Sequence, residues 1–365
     1  MTAIGLGTPD RIPVSPDMAA MFPARWSGKP FWEVLFVRDP PVWRMQLEIA
    51  KYFGFDPIIS KPAFINGPDD PPRETHVIEK TAEYWRVEDR IHTKKGDLTV
   101  LTNYPRDTSP WVEHPLIADP KRDAERVLLT HTDPWAKTLD PEYGTWRDGT
   151  VGESAVVKSE IPVPAAWWLY GRRPLLVDGV LELADGEPWL VKTLDAYREW
   201  ALETIEVVCR FQKPDLLMLG GSVTSMSVIS PDIYRRYNLV FLERAVRIAG
   251  SHGVATAVHM CGRCSAALDM LVGAGVRMIE PLERAPGGDV TLADVRRRFG
   301  AKVCLKGNVN TFDTLSRGTP EAVYSEARKC IEEAGRTAFI LASGDQVPRE
   351  TSLDNLKALA AAAAE

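Results

Sequence analysis

The sequence predicts an α/β fold, a (β/α)8 TIM-type barrel with an N-terminal extension and a β-hairpin insertion. Three observations support this prediction. In the second half of the chain, short apolar runs alternate with amphipathic helical segments, as in parallel β/α units. No Gly-x-Gly-x-x-Gly or Walker-type loop follows a predicted strand, which disfavours a nucleotide-binding open sheet. The 365 residues, 45% hydrophobic and 26% charged, are enough to bury a large core.

The first half of the chain carries fewer regular patterns. Phe31–Val37 is predicted as an early barrel strand, followed by a helix at about Pro41–Phe53. Glu83–Tyr104 alternates apolar and polar residues around a central Lys-Lys-Gly-Asp, which predicts an inserted hairpin. A helix is expected at Asp119–Leu128 and a further strand at Val163–Tyr170.

The second half predicts five strands and six helices, several of them opened by Ser, Thr or Pro and closed by Gly. The strands are predicted at Asp215–Leu219, Val254–Met260, Val276–Ile279, Lys302–Lys306 and Ala338–Ala342. The helices are predicted at Asp195–Phe211, Asp232–Ser251, Cys264–Gly273, Leu292–Phe299, Pro320–Gly335 and Ser352–Ala364. We expect one domain, with residues 1–160 forming the extension, insertion and first barrel units and residues 161–365 the remaining units.

Composition and charge exclude several classes of protein. The formal charge is −6 and the basic residues are scattered, which argues against nucleic-acid binding. No apolar run approaches the roughly 20 residues that span a bilayer, and the N-terminus has no secretory pattern. A soluble, cytoplasmic protein is therefore expected. Five cysteines do not suggest a disulfide framework, and only Cys261 and Cys264 are close together.

The sharpest feature is a His-x-Cys sequence, His259 and Cys261, at the end of an apolar run. Residues two apart on a strand point to the same face, so this imidazole and thiol can bind one metal ion such as zinc. Glu280 ends the next predicted strand and is the expected third ligand and a candidate catalytic carboxylate. Asp345 follows the last strand and is a candidate fourth ligand or outer-shell base.

Other residues have a structural and a functional interpretation. Cys264 completes a Cys-x-x-Cys sequence, which fits a redox pair or a fourth metal ligand, but a small residue at a helix start is the favoured interpretation. Trp167 could line a pocket for a flat or methoxylated ligand, although such aromatic residues more often belong to the hydrophobic core. Gly220 and Gly221 would allow a ligand to approach the backbone after a strand.

The second half resembles the uroporphyrinogen decarboxylase superfamily. The matching residues are Ile229-Ser230-Pro231, His259-x-Cys261-Gly262, Gly307-Asn308-Val309, and Pro348-x-x-Thr351 before Asn355, which together cover about residues 165–365 in the right order. The resemblance implies a (β/α)8 barrel and one of two chemistries, porphyrinogen decarboxylation or zinc-dependent methyl transfer. An Arg-Gln-Ala-Gly-Arg stretch typical of the decarboxylases is absent, because the corresponding region contains Phe22-Pro23-Ala24-Arg25-Trp26.

The resemblance therefore points to the zinc-dependent methyltransferase branch, in which His259 and Cys261 match zinc ligands. It implies methyl transfer between a small O-, S- or N-methylated substrate and a corrinoid (cobalamin), which a separate corrinoid protein would carry because the chain has no Asp-x-His-x-x-Gly segment. An O-demethylase is one version of this activity. Asn308 joins the expected cofactor-binding residues. The chain departs from the branch after its last strand, where Ser343-Gly344-Asp345 replaces a ligating Cys.

Two rival interpretations remain open. A metal-independent decarboxylase or lyase acting on a smaller acid would hold carboxylates with Arg25, Arg44 or His114. A non-catalytic accessory protein would bind a metal or a tetrapyrrole without turnover. A homodimer is compatible with either interpretation, since the outer helices of such barrels often pair.

Overall fold

The computed structural model describes residues 1–364. Thirteen strands lie within this range: β1 (Ile58–Ile59), β2 (Phe64–Ile65), β3 (Arg73–Lys80), β4 (Tyr84–Thr93), β5 (Gly96–Pro105), β6 (Trp111–His114), β7 (Thr138–Leu139), β8 (Val156–Pro162), β9 (Leu216–Gly220), β10 (Ala255–His259), β11 (Met278–Glu280), β12 (Cys304–Val309) and β13 (Phe339–Ser343).

Twelve α-helices lie in the same described part of the chain: α1 (Met21–Ser27), α2 (Val42–Phe53), α3 (Pro120–Leu128), α4 (Pro164–Gly171), α5 (Leu176–Asp185), α6 (Pro188–Val207), α7 (Pro231–Tyr234), α8 (Val240–Ser251), α9 (Leu268–Gly273), α10 (Leu292–Phe299), α11 (Pro320–Ala334) and α12 (Leu353–Ala361). None of the helices described is long and apolar enough to cross a membrane.

The central sheet contains seven of the described strands, all paired in parallel, in the order β1-β8-β9-β10-β11-β12-β13. The segment before α1 adds to it, because Ser15 N–H donates to the Leu341 carbonyl (2.8 Å) and Asp56 N–H donates to the Val14 carbonyl (2.7 Å). This segment thus reaches both β13 and the residues that lead into β1. The predicted parallel α/β sheet is confirmed, and the closed (β/α)8 barrel remains a prediction.

Alternating side chains of the strands pack on two sides of the sheet, as a pleated strand requires. On β9, Leu217 and Leu219 join the large core beneath the helices. Leu216 and Met218 face the other way and pack with Met278 of β11 in a smaller cluster. Ala3 and Ile4 of the N-terminal segment belong to this smaller cluster, so the first residues of the chain help to fill the inner side of the sheet.

Helix caps explain why the helices of the second half follow the predicted positions. Thr291, Thr319 and Ser352 each accept a hydrogen bond from a backbone N–H in the first turn of α10, α11 and α12. The predicted helix Leu292–Phe299 coincides with α10. The predicted helix Asp232–Ser251 is a composite, because π-helical residues Arg235–Leu239 join α7 to α8.

The predicted hairpin insertion is confirmed as part of a larger unit. Strands β4 and β5 pair in an antiparallel register that runs from Tyr84 opposite Pro105 to Thr93 opposite Gly96. With β3 and β6 they form a separate four-stranded sheet. Strand β3 lies at one edge of this sheet and is mostly exposed.

Two predicted strands are wrong. Val163–Tyr170 is the helix α4, which begins at Pro164, where proline is favoured in a first helical turn. The strand itself lies earlier, at β8, where charged residues obscured the apolar pattern. Phe31–Val37 is also helical, since Trp32–Val37 forms a π-helix. A short apolar run has no periodicity that distinguishes a buried helical turn from a strand.

Candidate functional site

The site lies at the carboxyl ends of the parallel strands. His259 is the last residue of β10, and its sheet partners are Gly220 on β9 and Glu280 on β11. The chain then turns at Gly262, whose φ of +85° lies in the left-handed region. The N–H of Gly262 donates to the Glu283 carboxylate at 2.7 Å, which anchors the turn that carries Cys261.

Three side chains meet at this edge of the sheet. One ligand atom each from His259, Cys261 and Asp345 lies within 4.8 Å of the others, and all three residues are half-buried. Asp345 comes from the segment after β13, where Gly344 N–H donates to the Val309 carbonyl at 2.7 Å. The sheet order therefore brings together donors that are more than 80 residues apart in the sequence.

Glu280, the predicted third ligand, does not join this group of three. One carboxylate oxygen lies 3.2 Å from Nδ1 of His259. The other lies 2.5 Å from Nζ of Lys306 on β12, and both Glu280 and Lys306 are about 95% buried, with 5% and 4% of their surface exposed. A carboxylate taken out of water needs such a cationic partner. The carboxylate of Glu280 is therefore held by a lysine and a histidine.

These contacts set the charges in the site. Burial raises the pKa of Glu280, but Lys306 and His259 outweigh the burial and hold this pKa well below its usual value. Burial lowers the pKa of His259, but hydrogen bonds to Cys261 and Glu280 outweigh it and raise this pKa well above its usual value. Burial also raises the pKa of Asp345. The site thus combines a buried carboxylate, an imidazole, a thiol and a further carboxyl group.

A cavity of about 770 Å³ opens in front of these groups, a volume typical of small-molecule sites. His259, Cys261, Glu280 and Asp345 all line it. The remaining wall is mixed, with charged, polar and apolar members: Asp17, Ala19, Ala20, Leu35, Val42, Gln46, Ile58, Ser60, Lys158, Glu160, Ile161, Pro162, Tyr170, Met218, Leu219, Gly220, Gly221, Ser222 and Gln346.

The structure separates the other predicted site residues into two groups. Gly220 and Gly221 line the cavity. Trp167 and Asn308 lie elsewhere: Trp167 stacks on Tyr197 with ring centroids 4.4 Å apart, and Asn308 is fully buried and donates to the Leu282 carbonyl at 2.6 Å. Cys264 is buried and outside the group of three.

The carboxylate-binding residues of the rival lyase interpretation also lie away from the cavity. Arg25 donates to the carbonyl oxygens of Arg349 and Thr351, each at 2.8 Å. Arg44 and His114 are exposed, and none of these three candidates is among the residues that line the cavity.

Sequence reasoning missed four charged residues of the site: Asp17, Lys158, Glu160 and Lys306. Lys158 on β8 forms a 2.5 Å ion pair with Glu160, and Lys306 was read only as the end of a strand. Lysines inside otherwise apolar strands are unusual, because burying an unpaired ammonium is costly. That signal could have identified Lys306. Lys158 lies in a strand with other polar residues, and Asp17 lies in a segment with no regular pattern.

Comparison with known proteins finds a family match in the second half of the chain. The model of the uroporphyrinogen decarboxylase (URO-D) family matches residues 195–365, the part that contains β9 to β13 and all three clustered donors. The second half of the chain is thus similar to the uroporphyrinogen decarboxylase family. This result confirms the resemblance that the sequence motifs indicate.

Curated relatives of this chain are named as methyltransferases. The methylcobamide:CoM methyltransferase MtaA of Methanosarcina barkeri is 25% identical over 180 residues, which are 48% of this chain and 50% of that protein. The methylated-thiol–coenzyme M methyltransferase of Methanosarcina mazei is 27% identical over 150 residues, 41% of this chain and 38% of that protein. The matches thus span about half or less of these relatives' lengths.

A solved structure extends the likeness over the whole fold. A methyltransferase from Methanosarcina mazei superposes with a TM-score of 0.61 at 18% identity, covering 99% of this chain and 96% of that one. This likeness shows that the two chains share a fold.

Proposed function

We propose that this protein is a zinc-dependent methyltransferase that moves a methyl group between a corrinoid carrier and a small thiol. The observation that carries the proposal is the group of His259, Cys261 and Asp345 at the edge of a cavity of about 770 Å³. The relatives support the reaction class, since two of them are named as methyltransferases of coenzyme M. Their names favour sulfur over oxygen or nitrogen as the atom that gains or loses the methyl group.

The donor set fits a zinc ion. Zinc accepts imidazole nitrogen, thiolate sulfur and carboxylate oxygen at about 2.0–2.3 Å, and a catalytic site combines three protein ligands with one open position. The three donor atoms here are already within 4.8 Å of one another. We therefore propose His259, Cys261 and Asp345 as the ligands. Asp345 takes the place of the cysteine that the resemblance leads one to expect after the last strand.

Glu280 and Lys306 are proposed to position the imidazole. Because Nδ1 of His259 faces Glu280 at 3.2 Å, Nε2 is the ring nitrogen left for a metal. A carboxylate that holds the other nitrogen of a ligating histidine fixes the ring and raises its basicity. Glu280 thus acts through His259 in this proposal, and Lys306 keeps Glu280 charged.

Bound zinc would supply one effect, the lowering of the pKa of a thiol at its open position. The protein supplies the rest. The cavity walls would orient the thiol, and apolar residues such as Met218 and Leu219 would limit access of water to the sulfur. A corrinoid is the proposed methyl carrier, delivered by a partner protein at the open mouth of the cavity.

O-demethylation, a single-domain closed barrel, a homodimer and a cytoplasmic location also remain predictions.

An assay with methylcobalamin and a thiol tests the proposal. Zinc-loaded wild type should demethylate methylcobalamin, followed by its change in absorbance, and Cys261→Ala should reduce the rate at least 100-fold. Cys264→Ala is the matched control, because Cys264 lies outside the proposed ligand set and should keep most of the activity. No thiol-dependent demethylation by a well-folded, zinc-loaded protein would contradict the proposal. Decarboxylation of a small acid without metal would instead support the lyase.

A further inference from the structure

The charged residues around the cavity are mostly acidic. Of the side chains that line it, Asp17, Glu160, Glu280 and Asp345 are acids, and Lys158 is the single Lys or Arg among the described residues of the wall. Two of the acids already have cationic partners, since Glu160 pairs with Lys158 at 2.5 Å and Glu280 pairs with Lys306 at 2.5 Å. Asp345 belongs to the group of three donors. One acid remains.

That remaining acid is Asp17, which is held by its backbone. Its N–H donates to the Ser343 hydroxyl at 3.0 Å, and its carbonyl accepts from Val347 N–H at 2.8 Å. Both partners lie close to Asp345 in the chain, so Asp17 stands beside the donor group. Within residues 1–364, no hydrogen bond or ion pair involves the Asp17 carboxylate, although its charge helps to raise the pKa of Lys158 and of His259. Asp17 is half-buried and lines the cavity.

The net charge of the site with a metal and a thiol bound follows from the charges of these side chains. A divalent metal would be neutralised by a thiolate from Cys261 and a carboxylate from Asp345, and the two lysine pairs are neutral as well. The Asp17 carboxylate then leaves the site with one negative charge, and a substrate thiolate would add a second. A substrate that also carries a cation would balance one of them, whereas an anionic tail would add a third negative charge.

We propose that the thiol substrate of this protein is an aminothiol, whose ammonium group binds the carboxylate of Asp17. The inference rests on the proposed function, because it assumes that the sulfur occupies the metal-side end of the cavity. The inference adds to the proposed function by assigning a positive charge to the part of the substrate that lies away from the sulfur. Asp17 is thus a specificity-determining residue. The cavity offers no unpaired cation, among the residues described, that would bind a sulfonate or a carboxylate tail.

Three thiols of equal length test this inference: cysteamine, 2-mercaptoethanol and 2-mercaptoethanesulfonate, which end in a cation, a neutral hydroxyl and an anion. Their binding is measured on the cobalt(II)-substituted full-length protein by the thiolate-to-cobalt absorption band. Asp17→Asn is compared with wild type for each thiol, so that the different acidities of the thiols cancel. Asp232→Asn is the matched control, because its side chain is 91% exposed and the change in net charge is the same.

We expect Asp17→Asn to weaken cysteamine binding about 10-fold, to leave 2-mercaptoethanol within 2-fold, and to strengthen 2-mercaptoethanesulfonate binding about 3-fold or more. Asp232→Asn should change none of the three. A uniform effect of Asp17→Asn on all thiols, or loss of bound metal in this variant, would overturn the inference alone. If no thiol binds the metal-loaded wild type, both the inference and the proposed thiol chemistry are overturned.

Discussion

The carboxylate of Glu280 lies 3.2 Å from Nδ1 of His259, and the two residues are direct neighbours across β10 and β11. This pairing explains why a carboxylate predicted as a metal ligand is placed beside the donor group instead. A side chain opposite His259 in the register reaches Nδ1 of the ring, while the loop after β13 brings Asp345 into the group with His259 and Cys261.

Glu280→Gln should lower the affinity for zinc by about 10- to 100-fold, the range found when the hydrogen-bond partner of a ligating histidine is removed. Zinc affinity is measured by competition with a chromophoric chelator. Glu243→Gln, on the exposed surface of α8, is the control and should bind zinc as wild type does. Complete loss of zinc in Glu280→Gln, equal to the loss in Cys261→Ala, would make Glu280 a ligand and contradict the proposed set.

Lys306→Met should destabilise the fold by about 3–5 kcal/mol, because it leaves the buried carboxylate of Glu280 without its cation. The double variant Lys306→Met/Glu280→Gln removes the charge as well and should recover part of this loss. Urea denaturation gives the free energy of unfolding of each variant. A double variant that is no more stable than Lys306→Met would show that the ion pair is not the cause.

His131 should make the stability depend on pH. Burial lowers its pKa to about 4, whereas an unfolded histidine titrates near 6.5. Between these values the unfolded chain binds a proton that the folded chain does not, so the stability falls as the pH drops from about 6.5 to 4, by up to about 3 kcal/mol. His131→Phe keeps the stacking on Trp200, whose ring centroid is 4.3 Å away. The variant should lose less stability over this pH range than wild type, as measured by thermal or urea unfolding, and an unchanged pH dependence would contradict the assignment.

Gly262→Ala should disturb the turn that carries Cys261. A Cβ at this position would lie 2.7 Å from the Ser227 hydroxyl oxygen, and φ is +85°. We expect a loss of about 1–2 kcal/mol in stability together with weaker zinc binding. Gly250→Ala is the control: Gly250 lies within α8, nothing lies within 4 Å of its Cβ position, and alanine there should be neutral or stabilising. Equal effects of the two changes would argue against a special role for the turn at Gly262.

Much of the fold of the second half can be predicted from the sequence because its signals are local. The apolar run before His259 ends where β10 ends, and Thr291 marks the start of α10. The parallel sheet then places strand-end residues on one edge, which is why the proximity of His259 and Glu280 could be predicted. The first half lacks such signals, and Val163–Tyr170 was predicted as a strand although Pro164 begins a helix there.

The parts of the site that the sequence does not reveal depend on contacts between distant segments. Asp17 reaches the cavity because its backbone bonds to Ser343 and Val347, a pairing that has no sequence pattern. The proposal of Asp345 rather than Glu280 as a ligand rests on Lys306, which forms an ion pair with Glu280. Register alone cannot predict which carboxylate a buried lysine will hold.

The most direct test of the proposed metal site is the zinc content of the purified protein by elemental analysis, in wild type and in His259→Ala, Cys261→Ala, Asp345→Ala and Glu280→Ala. The proposal predicts nearly one zinc per chain in wild type, loss of zinc in the first three variants, and weakened but measurable binding in Glu280→Ala. A well-folded wild type that binds no zinc when the metal is supplied, or full zinc retention in Cys261→Ala, would contradict it.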